Sequence, residues 1–254
     1  MAGSIQSIER AAAVLDLLSQ SSKPMSLREI AMEMQLPKAT VHGIVRTLVE
    51  LEFVEQDDAG GAYSPGARQD GAAATPIDGN VLRSVAMSWA DTLASLTGAE
   101  VRLAVLAEHG ALVVHHVFRP DDSPQRLRIE EELPLHASAS GKVLLAYAAT
   151  RDRIMRNLTL ERFTANTIVT RSVLAAEIIE IRRRGLAVDN AEYEVGVGSI
   201  AVPIHGRSRG SVAAVSVLGS PAHLFRSGTN PRDQILIELR RTAGAVTQAL
   251  AHQR

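Results

Sequence analysis

The chain contains no cysteine, and aromatic residues make up only 3% of its 254 residues. The lack of cysteine excludes disulfides and thiolate metal sites and fits a reducing compartment, so we expect a cytoplasmic protein. With so few aromatic side chains, the core is expected to be aliphatic. No apolar run approaches the roughly 18 to 20 residues that a membrane span needs, and the first ten residues lack the pattern of a signal peptide. We therefore expect no membrane partner.

The overall charge is also small. The formal net charge is −1 at pH 7, which gives no general reason to expect a nucleic-acid partner. Hydrophobic residues make up 46% and charged residues 22% of the chain, as is typical of a globular protein. A chain of this length forms one large domain or two ordinary ones. Any DNA-binding function must therefore be argued from local pattern.

Residues 1–66 show the order of elements of a winged helix-turn-helix. After a first amphipathic helix, Ser26-Leu27-Arg28-Glu29 has the form of a capping box, which predicts a second helix starting at Ser26. Pro37 is suited to the first position of a third helix, because its missing N–H has no partner there in any case. Residues 53–56 and 62–64 then predict two strands joined by a turn, which would form the wing.

One side of the third helix is short, polar or basic, as a helix that enters the major groove requires. We predict that residues 38–47 lie in the major groove. The candidate DNA-binding residues are Arg28, Lys38, Ala39, Thr40, His42, Gly43, Arg46 and Thr47. The alternative is an ordinary helical hairpin with a solvated face, and the wing that follows favours DNA binding. Residues 1–66 carry five basic and nine acidic side chains, so phosphate contacts must come from a few groups.

Residues 67–97 are predicted to form a linker and a linker helix, and residues 98–254 a separate α/β or α+β domain. The linker helix carries apolar residues along one side. These are Val81, Val85, Trp89, Leu93 and Leu96. Strands and helices alternate in the second domain, where residues 151–184 are predicted to be mostly helical.

Small residues open the helix predicted to begin near Ser138. Free N–H groups at the start of a helix attract anions, and small side chains allow a carboxylate to approach closely. Ala139, Ser140 and Gly141 are therefore candidates for an effector-binding site. No set of nucleophile, base and orienting group is visible, and the segment lacks the upstream glycine of a P-loop. We expect no catalytic residues, no cofactor and no bound metal.

Several ordered blocks of the chain resemble the IclR-type bacterial transcriptional regulators, and the resemblance covers nearly the whole length. The blocks in the first domain are Ser7–Ala11, Leu27–Ala31 and Leu36–His42. The blocks in the second domain are Leu133–Lys142, Arg182–Gly185, Asp189, Glu192, Gly196 and Ser199–Pro203. The resemblance implies an α+β protein with an N-terminal winged helix-turn-helix, a linker helix and a C-terminal GAF-like effector-binding domain.

The resemblance also implies how such a protein works. Its relatives act as homodimers or dimers of dimers on palindromic double-stranded DNA operators, and many are repressors that respond to small organic acids or aromatic catabolites. By resemblance, the effector pocket includes Asp189, Ser199 and Ser216. Our own hypothesis is that the apolar side of the linker helix, with Trp89, forms the dimer contact. The alternatives are that the serines merely fill strand positions and that Asp189 only forms a turn.

Three features depart from the family pattern. Gly43 stands where the family often has arginine, which removes a possible base or phosphate contact. Gln35 stands where the family often has glycine in the interhelix turn, so a side chain must tolerate an awkward backbone angle there. The tip of the wing, residues 57–61, has no basic residue to reach the minor groove.

We therefore predict a ligand-responsive DNA-binding regulator, a repressor and not an enzyme. Its effector is expected to combine a carboxylate with an apolar body. The alternative is an enzyme that converts a small acid and carries the helix-turn-helix as an accessory domain. Turnover of an acid by the purified protein would favour the enzyme.

Overall fold

A computed structural model describes residues 6–21, 23–51, 53–57, 61–66, 77–206 and 212–252. The chain divides into two compact units, Met1–Ala74 and Thr75–Arg254. The predicted linker helix belongs to the second unit, where it packs against the sheet and the C-terminal helix.

The N-terminal unit combines three helices with a small sheet in its described part. Its elements are α1 (Gln6–Gln20), β1 (Met25–Ser26), α2 (Leu27–Glu33), α3 (Lys38–Glu50), β2 (Val54–Gln56) and β3 (Ala62–Pro65). Strand β3 lies between β1 and β2 and pairs antiparallel with both. The winged helix-turn-helix is confirmed, and β1 joins the wing as a third strand too short to show in the sequence pattern.

Local chemistry explains where the second and third helices begin. The Glu29 N–H donates to Ser26 Oγ at 3.3 Å, and the Ser26 N–H donates to Glu29 Oε2 at 2.7 Å, which completes the predicted capping box. Pro37 caps α3 without a side-chain hydrogen bond. Gln35, in the turn between the helices, has a φ of +50°, the left-handed conformation expected from its position.

An aliphatic core holds this unit together. Its buried members are Val14, Leu18, Ile30, Val41, Val45, Leu48, Val54 and Tyr63. The three core residues of α3 are spaced three and four positions apart, so they occupy one side of the helix and leave the opposite side to solvent. That opposite side carries the predicted recognition residues.

The second unit alternates strands and helices. Its elements are α4 (Gly79–Thr97), β4 (Glu100–Leu106), β5 (Ala111–Val117), β6 (Glu132–Leu133), α5 (Ala139–Tyr147), α6 (Arg151–Asn157), α7 (Arg171–Arg184), β7 (Ala187–Asn190), β8 (Gly198–His205), β9 (Val212–Gly219), α8 (Pro221–Leu224), β10 (Phe225–Ser227), β11 (Asn230–Pro231) and α9 (Asp233–His252). Among the residues described, no helix is both long and apolar enough to cross a membrane.

Six strands of the described chain form an antiparallel sheet in the order β6-β5-β4-β9-β8-β7. Alternate residues point to opposite faces. One face, rich in valine and isoleucine, packs against α4 and α9. The other face, rich in alanine, packs against α5, because small side chains let that helix approach the strands closely. Sheet and helices together give the expected α+β architecture.

The structure refines two expectations about this unit. The side of α4 that is buried carries Leu82, Ala86, Ala90 and Leu93, whereas Trp89 on the predicted stripe is 40% exposed. The helix is apolar on more than one side, and small alanines fit the close contact with the sheet. Residues 158–170 lie between α6 and α7 and are not helical, so the segment predicted as mostly helix is two helices separated by an irregular stretch.

Candidate functional site

The outer face of α3 carries the predicted recognition residues. Lys38, Ala39, His42, Gly43, Arg46 and Thr47 are exposed, and Thr40 is half-buried. The exposed positions recur three and four residues apart, so they form one continuous strip along the helix. Arg28 is exposed on α2. At the wing tip, residues 58–60 lie outside the described part of the chain.

This strip carries little free positive charge. Arg46 Nε lies 3.5 Å from Glu50 Oε1, one turn along the helix, so a carboxylate accompanies the main cation. Thr47 Oγ1 donates to the Gly43 carbonyl oxygen at 3.0 Å. A side chain at Gly43 would meet no atom within 4 Å, so the middle of the strip is open and presents backbone to a ligand.

A small cavity in the second unit brings together four of the six predicted effector residues. Ser140, Asp189, Ser199 and Ser216 all line this cavity, which has a volume of about 20 Å³. Pairing explains the convergence, because Ser199 is opposite Asp189 on β7 and Ser216 is two residues from the position opposite Ser199 on β9. Strand alternation then places all three on the face that α5 covers.

Hydrogen bonds order these side chains. Ser140 Oγ donates to Ser216 Oγ at 3.0 Å, and Ser199 Oγ donates to Asp189 Oδ2 at 3.1 Å. Asp189 Oδ1 accepts from the Glu192 N–H at 2.7 Å. Burial raises the pKa of Asp189, against the opposing effect of these hydrogen bonds and of the Lys142 charge. The cavity therefore offers hydroxyl groups and a desolvated carboxyl to a ligand.

Ala139 and Gly141 do not line the cavity. The Ala139 side chain is buried in the core under the sheet. The Gly141 N–H donates to Ser138 Oγ at 3.0 Å, and a Cβ at Gly141 would collide with the Pro134 carbonyl oxygen. Their small size therefore serves chain packing, which corrects the expectation that it serves anion approach.

Sequence reasoning missed several residues that line the cavity. They are Arg102, Leu133, Ser138, Tyr193, Glu194, Val197 and Leu218. Arg102 had a visible signal, because it is a charged residue between the apolar residues Val101 and Leu103 of strand β4. Tyr193 and Glu194 come from the loop between β7 and β8, and no local pattern marks a loop residue as lining a cavity.

A buried ion pair lies beside the cavity. Lys142 Nζ is 2.7 Å from Glu192 Oε1 and 3.7 Å from Glu177 Oε1, and the lysine side chain is fully buried. Burial raises the pKa of Glu192 to about 7, although the Lys142 charge opposes this shift. The pair joins α5 to the loop after β7, so it fixes the loop that covers the cavity. Glu192 also borders a larger cavity of about 130 Å³ that contains none of the predicted effector residues.

Family comparisons match both units. The model for the IclR helix-turn-helix domain matches residues 7–58, and the model for the bacterial transcriptional regulator IclR C-terminal domain matches residues 75–248. The solved structure of IclR from Thermotoga maritima has the same fold, with a TM-score of 0.62 at 24% identity, covering 97% of this chain and 99% of that one.

Two curated relatives align with most of the chain. The glycerol operon regulatory protein of Streptomyces coelicolor is 42% identical over 250 residues, 98% of each chain. The transcriptional repressor AllR of Salmonella paratyphi A is 30% identical over 222 residues, covering 86% of this chain and 81% of its own. These relatives are regulators and not enzymes, so the alternative of an acid-converting enzyme is set aside. The chain belongs to the IclR family of DNA-binding bacterial transcriptional regulators.

Proposed function

We propose that this protein is a repressor that binds a palindromic operator as a dimer, acts in the cytoplasm and responds to a small effector. The observation that carries this proposal is the cavity that gathers Ser140, Asp189, Ser199 and Ser216 from one helix and three strands. These side chains are buried polar groups, and buried polar groups clustered around a cavity are typical of a ligand site.

On the DNA side, we propose that the exposed strip of α3 enters the major groove. Lys38 and Arg46 supply the positive charge of the strip, with Arg28 on α2 as a further basic group. The His42 and Thr47 side chains are short, so the helix can approach the DNA closely and these side chains can contact base edges. The open position at Gly43 brings the helix backbone near the DNA.

The size of the cavity supports a coupling between ligand and conformation. A volume of about 20 Å³ accommodates roughly one water molecule. Any organic effector therefore needs the lining residues to move, and Tyr193 and Glu194 lie in the loop between β7 and β8. A ligand that binds only the moved state shifts the population toward that state.

We propose that α4 contributes to the dimer contact through its exposed apolar side. Val81, Trp89 and Leu96 are exposed there, although the buried side of the same helix faces the sheet. An exposed apolar strip of this kind is favourable in an interface. The effector of such a dimer sets the geometry of the two recognition helices, which must match half-sites on the operator.

For the ligand, we propose a small organic acid, and for the target, genes of glycerol metabolism. The Ser140, Ser199 and Ser216 hydroxyls that line the cavity can donate hydrogen bonds to the carboxylate of such an acid. The target follows from the name of the Streptomyces coelicolor relative, a glycerol operon regulatory protein. The other named relative is a repressor, which supports the sign of regulation.

The DNA-binding proposal is tested with a labelled duplex from the region upstream of the protein's own gene. Arg46→Ala is expected to weaken binding by about 1–3 kcal/mol if the side chain reads a base. Glu50→Gln is expected to strengthen binding, because it removes the carboxylate 3.5 Å from Arg46. Arg153→Ala, at an exposed position on α6, is the matched control. If all three variants bind the duplex with equal affinity, this face of α3 does not contact the DNA.

A further inference from the structure

Arg102 is the cationic side chain that lines the effector cavity. It lies on β4 opposite Ser216 of β9, on the same face of the sheet as the rest of the site. Its side chain is only 7% exposed. A guanidinium this deeply buried is normally paired and hydrogen-bonded throughout, because an unpaired buried charge is unfavourable.

Glu100 satisfies only one part of this guanidinium. Arg102 Nε donates to Glu100 Oε1 at 2.5 Å, but within the described residues nothing accepts a hydrogen bond from Nη1 or Nη2. The Glu100 carboxylate is also shared, since His116 Nε2 lies 3.0 Å from the same oxygen. The edge formed by the two terminal nitrogens is therefore left for a group that enters the cavity. That edge matches an oxyanion in a bidentate arrangement.

Glu100 stays ionised beside Arg102. Burial works to raise the pKa of Glu100, but hydrogen bonding to His116 and the charge of Arg102 outweigh it and hold that pKa below its usual value. The Arg102–Glu100 pair is therefore neutral as a unit. An anion on the free edge makes a local charge-assisted hydrogen bond but is not drawn in by net positive charge, which favours a ligand with further polar contacts.

Those further contacts lie on the other strands of the same face. Asp189 and Ser199 supply a carboxyl and a hydroxyl, and Ser140 and Ser216 supply two more hydroxyls. A carboxylate accepts hydrogen bonds and donates none, so Asp189 selects ligand groups that donate. Ligand hydroxyls meet this requirement, while an apolar body does not.

We propose that Arg102 binds an anionic group of the effector, and that the effector is a short polyol carrying one phosphate or carboxylate. This inference rests on the proposed function and makes its ligand more specific. The anion lies on the Nη edge of Arg102, near the start of α5. The hydroxyl groups lie toward Asp189 and Ser199. Arg102 is thus the residue that distinguishes the charged ligand from the uncharged polyol.

The test compares three probes on the full-length protein: glycerol, sn-glycerol 3-phosphate and glycerate. Binding is measured by titration calorimetry, and DNA release by fluorescence anisotropy of the duplex from the protein's own upstream region. The wild-type protein is expected to bind at least one of the two anions ten-fold or more tightly than glycerol, because a charge-assisted hydrogen bond is roughly twice as strong as one between neutral groups. The preferred anion identifies the group that Arg102 binds.

The variant is Glu100→Gln/Arg102→Gln, which removes both charges together and leaves no unpaired carboxylate. It is expected to lose the preference for the anion by ten-fold or more. Arg119→Gln, which breaks the Arg119–Asp121 pair outside the cavity, is the matched control and keeps the preference. The comparison of probes on the wild-type protein tests the proposed ligand class even if the double variant does not fold.

Two results would overturn the inference without contradicting the proposed function as a regulator. One is operator binding that responds to glycerol as strongly as to either anion. The other is operator binding that responds to none of the three probes. Failure of the wild-type protein to bind its upstream region at low salt would instead contradict the proposed function, so the two failures are distinguishable.

Discussion

Lys142 Nζ lies 2.7 Å from Glu192 Oε1, which joins the first turn of α5 to the loop that covers the proposed effector cavity. The lysine is fully buried, and its other carboxylate neighbour, Glu177, is 3.7 Å away. Breaking a buried pair on one side leaves an uncompensated charge, whereas replacing both partners with apolar residues often has little effect. Replacing one partner is therefore expected to destabilise the protein much more than replacing both.

The first prediction concerns this pair. At pH 8, above the raised pKa of Glu192, Glu192→Leu is expected to lower the free energy of unfolding by about 3–5 kcal/mol, because it leaves Lys142 buried without its hydrogen-bonded partner. Adding Lys142→Met to the same protein is expected to recover most of that loss. Urea unfolding measures both variants. The exposed Arg183–Glu180 pair is the control, and Arg183→Met there is expected to change little. Equal instability of the single and double variants would contradict this account.

The second prediction is a pH dependence. The pKa of Glu192 is raised from 4.5 to about 7 in the folded protein, so the folded state holds a proton that the unfolded state has already released. Stability is therefore expected to fall as pH rises from about 4.5 to 7, and the raised pKa of Asp189 acts in the same direction. Melting temperatures from pH 5 to 8 test this. Glu192→Gln removes the titrating group and is expected to show a flatter profile than the wild type.

The third prediction concerns Gly43 on the recognition helix. It lies inside α3, and a Cβ added there would meet no atom within 4 Å, so Gly43→Ala is expected to stabilise the protein by about 0.5–1 kcal/mol. Gly244→Ala, at an equally open position in α9, is expected to do the same. Gly98→Ala is the opposite control, because Gly98 has a φ of +60° and ends α4. Calorimetric melting curves for the three variants test the sign of each effect.

The fourth prediction concerns the dimer contact. Trp89 is exposed on α4, so Trp89→Glu is expected to shift sedimentation toward the monomer and to leave the fold of each protomer intact. Ser95→Glu, on another exposed side of α4, is the matched control. Val85 is a poorer site for this test, because it is half-buried against the core and a charge there also affects folding. If the Trp89→Glu variant remains a dimer, the proposal that α4 contributes to the interface is contradicted.

Local chemistry made the first unit predictable from its sequence. The capping box at Ser26 and Glu29 involves residues three positions apart, and the strained turn at Gln35 follows from its place between two helices. Interactions of this range are visible in a linear pattern. The recognition strip of α3 was predictable for the same reason, since its helical period is regular.

The second unit was less predictable because its contacts are distant in sequence. Ser140 meets Ser216 across 76 residues, and the position of Arg102 in the cavity depends on the pairing of β4 with β9, which no local pattern specifies. The apolar pattern of α4 did not show which residues pack on the sheet, because both sides of the helix carry apolar residues. Which side is buried depends on how closely the sheet approaches, and small residues such as Ala86 and Ala90 decide that.

The most direct measurement is the affinity of the full-length protein for its own upstream duplex, recorded by anisotropy with increasing effector. For the wild-type protein, the account predicts that sn-glycerol 3-phosphate or glycerate weakens DNA binding ten-fold or more. Asp189→Asn is predicted to bind the same duplex equally well without ligand but to lose most of that response, because the carboxylate that receives the ligand hydroxyls is gone. Two results would contradict the account. One is an Asp189→Asn variant whose DNA binding responds to the ligand as strongly as that of the wild type. The other is a ligand that binds the protein but leaves its DNA affinity unchanged.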